Sequence, residues 1–482
     1  MYPEQQSFLV YGLSRSGTAA ANFLLKKNAV VYIYDDIQSA RVEKEAKTLE
    51  DLGAKRFSKE TLGKAAESCD VLVLSPGIPI DHPLAVAFKK AGKNVVGESE
   101  LAARYLQGNI LAVTGTNGKT TTVSMLAQVL QKGGMDAQAC GNIGTPMLLL
   151  YPMKEEQVAV AEISSFQMET LNSLRPHIAI ILNITEDHLN RHYNMENYVF
   201  LKRKLLKNLT ETEFAILNYD DPIVRSFAEK TRAKVLYFSV REKVNGSYYD
   251  NGNLYFGEEK ILSISDLPTG GIHNVQNALA TIAAAKLMGI NSRDIAAALS
   301  DFKGIKHRVE FVLETKGVRF VDDSKGTNVD ATLKAVAAVD TEIVLLLGGK
   351  DKGYDYDKLF NGLKGGKVVH AILYGENRFK LLESARRKGF LSVTVCDAFA
   401  FAVQIACLKA TCGQTVLLSP ASASFDEFAN YEERGEKFVE IICAFSQEEK
   451  AKTGESGACG ASERDVESNA NDGMESEAVK TE

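Results

Sequence analysis

Asn109–Thr121 reads NILAVTGTNGKTT, and the order of residue types within it decides the fold class. The apolar run at its start, Asn109–Val113, has the composition of a short buried strand. Helix-forming residues follow over Thr121–Gln131, and the glycine-rich GTNGKTT of Gly115–Thr121 lies between. Glycines at 115 and 118 let the backbone curl so that successive N–H groups face one concavity, and the next helix turns its positive end toward the same point. Lys119 adds a point charge suited to the β- and γ-phosphates of ATP, and Thr120 offers a hydroxyl to Mg²⁺. Gly115, Thr116, Asn117, Gly118, Lys119, Thr120 and Thr121 are therefore the expected ATP contacts. Val113 stands where the longer GxxxxGK[ST] loop has its first glycine, so this is the shorter GxxGKT form. The plainer reading is an ordinary glycine-rich βα turn.

Working outward, apolar strands alternate with helical patterns on both sides, which indicates mostly parallel sheets with crossover helices. The 482 residues divide into about three domains. Residues 1–97 carry SFLVYGL at Ser7–Leu13, AVVYIY at Ala29–Tyr34 and VLVL at Val71–Leu74, a Rossmann-like α/β pattern. Residues 98–304 contain the phosphate loop, QVAVA at Gln157–Ala161, HIAIIL at His177–Leu182, a turn-rich β stretch over 235–265 and a helical run at Asn274–Met288. Residues 305–445 add a third α/β unit with strands at Val318–Val321, Ile343–Leu347, Val368–Tyr374, Val393–Val395 and Thr415–Leu418. Residues 446–482 shift to Glu, Ser, Gly, Ala and Asn and read as a disordered acidic tail.

That tail holds ten acidic and four basic residues, so it carries the whole formal net charge of −6 and leaves the body neutral. A neutral body gives no support for a nucleic-acid surface. Seven scattered cysteines without a CxxC pair argue against a disulfide framework and fit a cytoplasmic protein. The first residues lack a signal-peptide pattern, and no apolar run approaches a membrane span, so membrane insertion is not expected.

Two further places suit ATP chemistry. Glu162 ends an apolar strand and can face the phosphate loop as a Mg²⁺ ligand, or can cap a helix, because Ser164 and Ser165 follow. Thr185–His188 follows another buried strand; His188 and His192 are four apart, a zinc-like spacing on a helix, although a lone histidine is more often structural.

Taken in order, these pieces resemble the Mur ligases, which add amino acids to the UDP-linked peptidoglycan precursor. The resemblance runs over residues 7–445. It rests on GTNGKTT at Gly115–Thr121, GNIG at Gly141–Gly144, EISSFQ at Glu162–Gln167, NITEDHL at Asn183–Leu189, His273-Asn274 with Asn277, and His307-Arg308. DDSKGTN at Asp322–Asn328, LGGKDKG at Leu347–Gly353 and SPASASFDEFANYEERG at Ser419–Gly435 look like the branch that adds D-glutamate to UDP-N-acetylmuramoyl-L-alanine.

The resemblance implies ATP, two Mg²⁺ ions, an acyl-phosphate intermediate and a monomer. It implies Thr120 and Glu162 on one metal, and His188 with a carbamylated Lys202 on the other. Lys119, Glu162, His188 and Lys202 would be the catalytic set. An unmodified lysine is a cation and cannot ligate Mg²⁺, whereas its CO₂ adduct can; without the resemblance, Lys202 reads as a solvated helix lysine. Asn274, Asn277, Arg308, Asp323 and Lys325 would contact the nucleotide. Ser14, Arg15, Ser16, Asp35, Ser75, Gly77, Asn142 and His188 would hold the UDP-substrate, and Thr327, Lys352, Ser424 and Tyr431 would surround D-glutamate. Three positions depart from the family pattern: Asn190 stands for an aspartate, Tyr431 for a phenylalanine, and Gly326 for an alanine, which should loosen its turn. Two other classes fit parts of the chain. GLSRSG at Gly12–Gly17 with Asp35-Asp36 suggests a nicotinamide enzyme, although Ser14 replaces the middle glycine. A regulatory ATPase would share the phosphate loop alone.

Overall fold

The computed structural model describes residues 3–268, 271–351 and 353–453. Lys352 and residues 454–482 lie outside them, so the Lys352 expectation and most of the expected tail are not described. Three sheets follow one another along the chain. The first is five-stranded and parallel, in spatial order Lys55–Arg56, Val30–Tyr34, Ser7–Tyr11, Val71–Leu74 and Asn94–Val96. The third has the order Glu310–Thr315, Val318–Asp322, Thr415–Leu418, Ile343–Gly348, Val368–Tyr374 and Val393–Val395, parallel except for its first pair.

The central sheet has nine strands. Asn109–Thr114 sits between Ile178–Ile181 and Val158–Glu162, parallel to both. The register pairs Val113 with Glu162 and Thr114 with Ile181, so three strand ends open together beside the phosphate loop. Ligands of open α/β sheets gather at such carboxyl ends. The β-rich stretch expected over 235–265 forms the outer strands Lys234–Ser239, Gly246–Asp250, Asn253–Phe256 and Glu259–Ser263, the last two pairings being antiparallel.

One apolar cluster runs without interruption from the first unit into the second. Phe8, Phe23 and Leu24 share it with Ile110, Ala112, Met147 and Met153. Phe23 meets the Tyr151 ring edge-on at 5.1 Å. The other face of the central sheet packs on helix Ile272–Leu287. The disordered tail expected from 446 does not begin there: helix Tyr431–Thr453 runs through that point. Phe438 and Ile442, with Ile441 and Phe445, pack it against the third sheet's helix Phe399–Lys409. The Glu, Gln, Lys and Ala residues after 445 are good helix formers, which lets the helix continue.

Candidate active site

The loop Gly115–Gly118 joins strand Asn109–Thr114 to helix Lys119–Lys132. Gly118 lies at φ 87°, and a Cβ there would fall 2.4 Å from Asn277 Oδ1, so both conformation and space require glycine. Asn277 itself projects from helix Ile272–Leu287, which brings an expected nucleotide contact against the loop. Lys119 Nζ donates to the carbonyls of Gly115 at 2.9 Å and Thr116 at 2.7 Å. Burial pulls the pKa of this ammonium below its ordinary value.

Glu162 is buried at its strand end. Its carboxylate accepts from the Thr120 hydroxyl at 2.7 Å and from Asn142 Nδ2 at 2.8 Å. Burial pushes its pKa upward, but Lys119 and these hydrogen bonds outweigh it and hold the carboxyl below the ordinary range. The capping alternative is excluded by the next turn: Ser164 caps helix Ser165–Met168, with Gln167 completing a capping box. Glu162 is thus left as an anionic oxygen donor beside a hydroxyl.

Lys202 is the largest departure from a plain reading of the residues. It is 1% exposed, not solvated. Its Nζ lies 2.9 Å from the Gly115 carbonyl and 3.2 Å from Thr114 Oγ1, above the Tyr198 ring. Burial, and then the neighbouring Lys119 charge, lower its pKa well below the ordinary lysine value. His188 stands at the start of helix Leu189–His192 in the left-handed region, φ 55°, with its ring 4.8 Å from Phe166. Its zinc-like partner His192 is buried instead, hydrogen-bonded to Ser165 and packed on Tyr198. His188 and His192 therefore do different work.

A cleft of about 170 Å³ is lined by Lys119, Glu162, His188, Lys202 and Asn142 from the central unit and by Arg308, Lys325 and Thr327 from the third. A second space, about 80 Å³, lies on the other side of the loop among Asn117, Thr121, Asn274, Asn277, Arg308 and Asp323. Most expected nucleotide contacts therefore converge. Arg308 Nη2 reaches across to Thr120 Oγ1 at 2.6 Å. Asp323 is buried; burial raises it to about 7, and it accepts from Ser419. Lys325 is lowered by burial to about 7 and lies 3.7 Å above the Tyr431 ring. Tyr431 thus keeps the aromatic face against a cation. Ser424 is buried on the loop after strand Thr415–Leu418 and does not line the cleft. At Gly326 a Cβ would meet Asp323 Oδ2 at 2.3 Å and Ser419 Oγ at 2.7 Å, so those side chains occupy the space a methyl would take.

In the first unit, Ser14 precedes helix Arg15–Lys26 and its hydroxyl meets Ser75 Oγ at 3.2 Å. Asp35 accepts from the Leu13 and Ile37 N–H groups. Ser14, Asp35, Ser75 and Gly77 lie on loops at the carboxyl edge of that sheet.

Two residues outside every motif, Asp330 and Tyr354, help close the central unit on the third. Asp330 accepts from Asn117 Nδ2 of the phosphate loop at 2.6 Å and from Lys334 at 2.8 Å. Asp187, beside His188, accepts from Tyr354 and from Asn328 Nδ2. Asp330→Ala is expected to lower kcat/KM for ATP about tenfold, because charge-assisted bonds to the loop are lost. The thermal midpoint should barely move. Steady-state rates at varied ATP check this; an unchanged KM would detach Asp330 from the loop's function.

Comparison with known proteins matches each of the three units to a family model. Residues 6–97 match the family model described as Mur ligase MurD-like, N-terminal domain; 113–285 match Mur ligase middle domain; and 307–422 match Mur ligase, glutamate ligase domain. The chain is 40% identical over 449 residues to the UDP-N-acetylmuramoylalanine--D-glutamate ligase of Pelotomaculum thermopropionicum, covering 92% of this chain and 98% of that one. It is 41% identical over 447 residues to the protein of the same name from Thermoanaerobacter sp. strain X514, covering 90% and 97%. Its fold is similar to that of the UDP-N-acetylmuramate-alanine ligase of Thermotoga maritima, with a TM-score of 0.60 at 18% identity over 91% of this chain and 99% of the other. With its three segments matched in sequence order and such relatives spanning nine-tenths of it, the chain belongs to the Mur ligase family.

Proposed function

We propose that this chain is the ligase that joins D-glutamate to UDP-N-acetylmuramoyl-L-alanine at the expense of ATP, in the making of the peptidoglycan precursor. The observation that carries the reading is one cleft in which a phosphate-loop lysine, a buried carboxylate, a histidine and a buried lysine face residues of the third unit. The names of its 40%-identical relatives support the choice of amino acid. The division of labour follows the chain: residues 1–97 for the UDP-substrate, 98–304 for ATP, and 305–445 for the amino acid. The six described cysteines are free, which suits a cytoplasmic site of action. Among the described residues, no helix is long and apolar enough to cross a membrane.

In the proposed reaction, a carboxylate oxygen of UDP-N-acetylmuramoyl-L-alanine attacks the γ-phosphorus of ATP. The bond to the ADP oxygen breaks and an acyl phosphate forms. The D-glutamate amine, having lost its proton, then adds to the acyl carbon, and the tetrahedral intermediate expels inorganic phosphate as the amide forms. Carboxylate and triphosphate repel each other, so positive charge must stand between them. Lys119 and the helix end behind it supply part of it. Lys325 and Arg308 approach from the third unit, whose closure keeps water from the acyl phosphate.

Thr120 Oγ1 and the anionic Glu162 form an oxygen donor set that fits Mg²⁺. His188 and Lys202 fit a second ion if Lys202 is carbamylated. Burial with two neutral oxygens disfavours the ammonium and leaves a nucleophilic amine. Its nitrogen bonds to the carbon of CO₂ and releases a proton, giving an anionic oxygen ligand. Magnesium at these positions supplies charge neutralisation on the phosphoryl oxygens. Asn274, Asn277 and Asp323 orient the nucleoside, and Thr327, Lys352 and Tyr431 the amino acid; Ser424, buried outside the cleft, is left out of this set. Asp35, Ser75, Gly77 and Ser14–Ser16 hold the UDP-substrate, with Asn142 at its sugar.

The test is phosphate release with UDP-N-acetylmuramoyl-L-alanine and ATP, screened across D-glutamate, L-alanine, L-lysine and diaminopimelate. D-glutamate alone should drive turnover and appear in the amide product. Coupling of L-alanine or a diamino acid would move the chain to another branch. ATP hydrolysis without any amino acid would favour a regulatory ATPase.

A further inference from the structure

Arg191 belongs to no motif used above, and its side chain spans two units. It extends from the four-residue helix Leu189–His192, whose start is His188. Its guanidinium donates to three consecutive backbone carbonyls of the first unit: Ile78 at 2.8 Å, Gly77 at 3.2 Å and Pro76 at 3.4 Å. On its other side it is held by Glu169 through two bonds, at 2.9 and 2.6 Å. Its face lies 5.1 Å from the Phe166 ring, which in turn packs on His188 at 4.8 Å.

Both ends of this helix have a strained backbone. His188 lies at φ 55° and Tyr193 at φ 70°, a region that non-glycine residues enter only when their surroundings hold them there. Tyr193 is tied to Asp81 of the first unit through its hydroxyl. Arg191 and Tyr193 thus tie the later part of the helix to the segment 76–81, and the Arg191 N–H donates to the His188 carbonyl at 2.9 Å, which links that tie to the helix start.

The carbonyl contacts also orient that segment. In a planar trans peptide the N–H points opposite to the C=O. Turning the Pro76 carbonyl onto Arg191 turns the Gly77 N–H away from it. Nothing lies within 4 Å of where a Gly77 Cβ would stand, so this backbone borders open space that a ligand can enter.

We propose that Arg191 is a positioning residue that fixes both the Pro76–Ile78 loop and the His188 end of the helix, coupling the nucleotide-sugar site to the phosphoryl-transfer cleft. This rests on the reading of Ser75 and Gly77 as UDP-substrate contacts. A single guanidinium then sets the backbone that receives the substrate and the histidine that faces its reacting end.

The experiment compares Arg191→Ala, Arg191→Lys and Asp35→Ala. It measures calorimetric binding of UDP-N-acetylmuramoyl-L-alanine without ATP, together with kcat, KM for D-glutamate and thermal midpoints. Arg191→Ala should weaken binding and lower kcat, each about tenfold or more, and leave KM for D-glutamate within about twofold. Arg191→Lys should fall between, because an ammonium satisfies Glu169 or the carbonyls but lacks the fork that meets both. If Arg191→Ala changes only the thermal midpoint while Asp35→Ala weakens binding, Arg191 is a structural tie and the inference fails alone. If Asp35→Ala leaves binding intact, the substrate-site reading fails and takes the inference with it. Should Arg191→Ala not fold, the binding and kcat of Arg191→Lys decide; values equal to those of the unaltered protein overturn the coupling.

Discussion

Lys202→Ala is expected to lower kcat by about a thousandfold, with partial recovery when acetate or formate is added. The argument begins with the environment. Lys202 is buried beside Thr114 and the Gly115 carbonyl, with Tyr198 along its stem. A protonated lysine gains little from two neutral oxygens and loses its hydration, so the amine is disfavoured as a cation there. As a carbamate it becomes an anion aimed into the cleft that also holds Lys119 and His188. Truncation removes that anion and leaves a hole the length of a lysine side chain, large enough for a small carboxylate. Initial rates of ADP formation with and without added acid test this. A carbon-13 resonance from labelled bicarbonate in the unaltered protein, absent in the variant, tests the adduct directly. Full activity in Lys202→Ala would remove the carbamate from the mechanism.

Glu162→Gln is expected to cost about two to three orders of magnitude in kcat/KM, partly recovered at high Mg²⁺. The amide has the same shape. Its oxygen can still accept from Asn142 and its nitrogen can donate to the Thr120 hydroxyl, so the fold should survive while the charge is lost. That separates electrostatics from packing. The pH dependence has a definite sign. The folded pKa of Glu162 lies below its ordinary value, so whatever stability the charge lends is present above the unfolded pKa and disappears as pH falls through the lower, folded one. An acid limb of the rate profile near neutrality therefore belongs to another group. A titration of rate against Mg²⁺ for both proteins provides the check; a variant with the same metal dependence as the parent would exclude Glu162 as a ligand.

Much of this site was legible because its signals are local. The phosphate loop combines a strand, two glycines and a helix start within a dozen residues, and Glu162 and His188 each follow an apolar strand whose end must lie at the same sheet edge. What sequence could not convey was environment. Lys202 looks like any helix lysine until Thr114 and Tyr198 enclose it, and the order of strands that brings Thr114 near is a property of the sheet. Arg191, Asp330 and Tyr354 were passed over for a related reason: their partners lie more than 100 residues away. Arg191 did stand within two residues of the NITEDHL motif, and Asp330 just beyond DDSKGTN, so proximity to a motif was the available hint. What fills the place of the methyl at Gly326 was likewise not legible, because Asp323 and Ser419 reach it from elsewhere in the fold.

The two junctions between units are made of different materials. Between the first and second, Phe8, Phe23 and Leu24 merge with Ile110, Ala112 and Met147 in one apolar mass. Between the second and third, the joining pairs are Asn117 with Asp330, Asp187 with Tyr354 and Asn328, and Thr120 with Arg308. Parting the first junction would expose oil to water, whereas each partner in the second can exchange its bond for one to solvent at small net cost. The chain is thus built as a welded pair of units with a third on a wet latch, a joint whose parting would bare polar groups that water can satisfy.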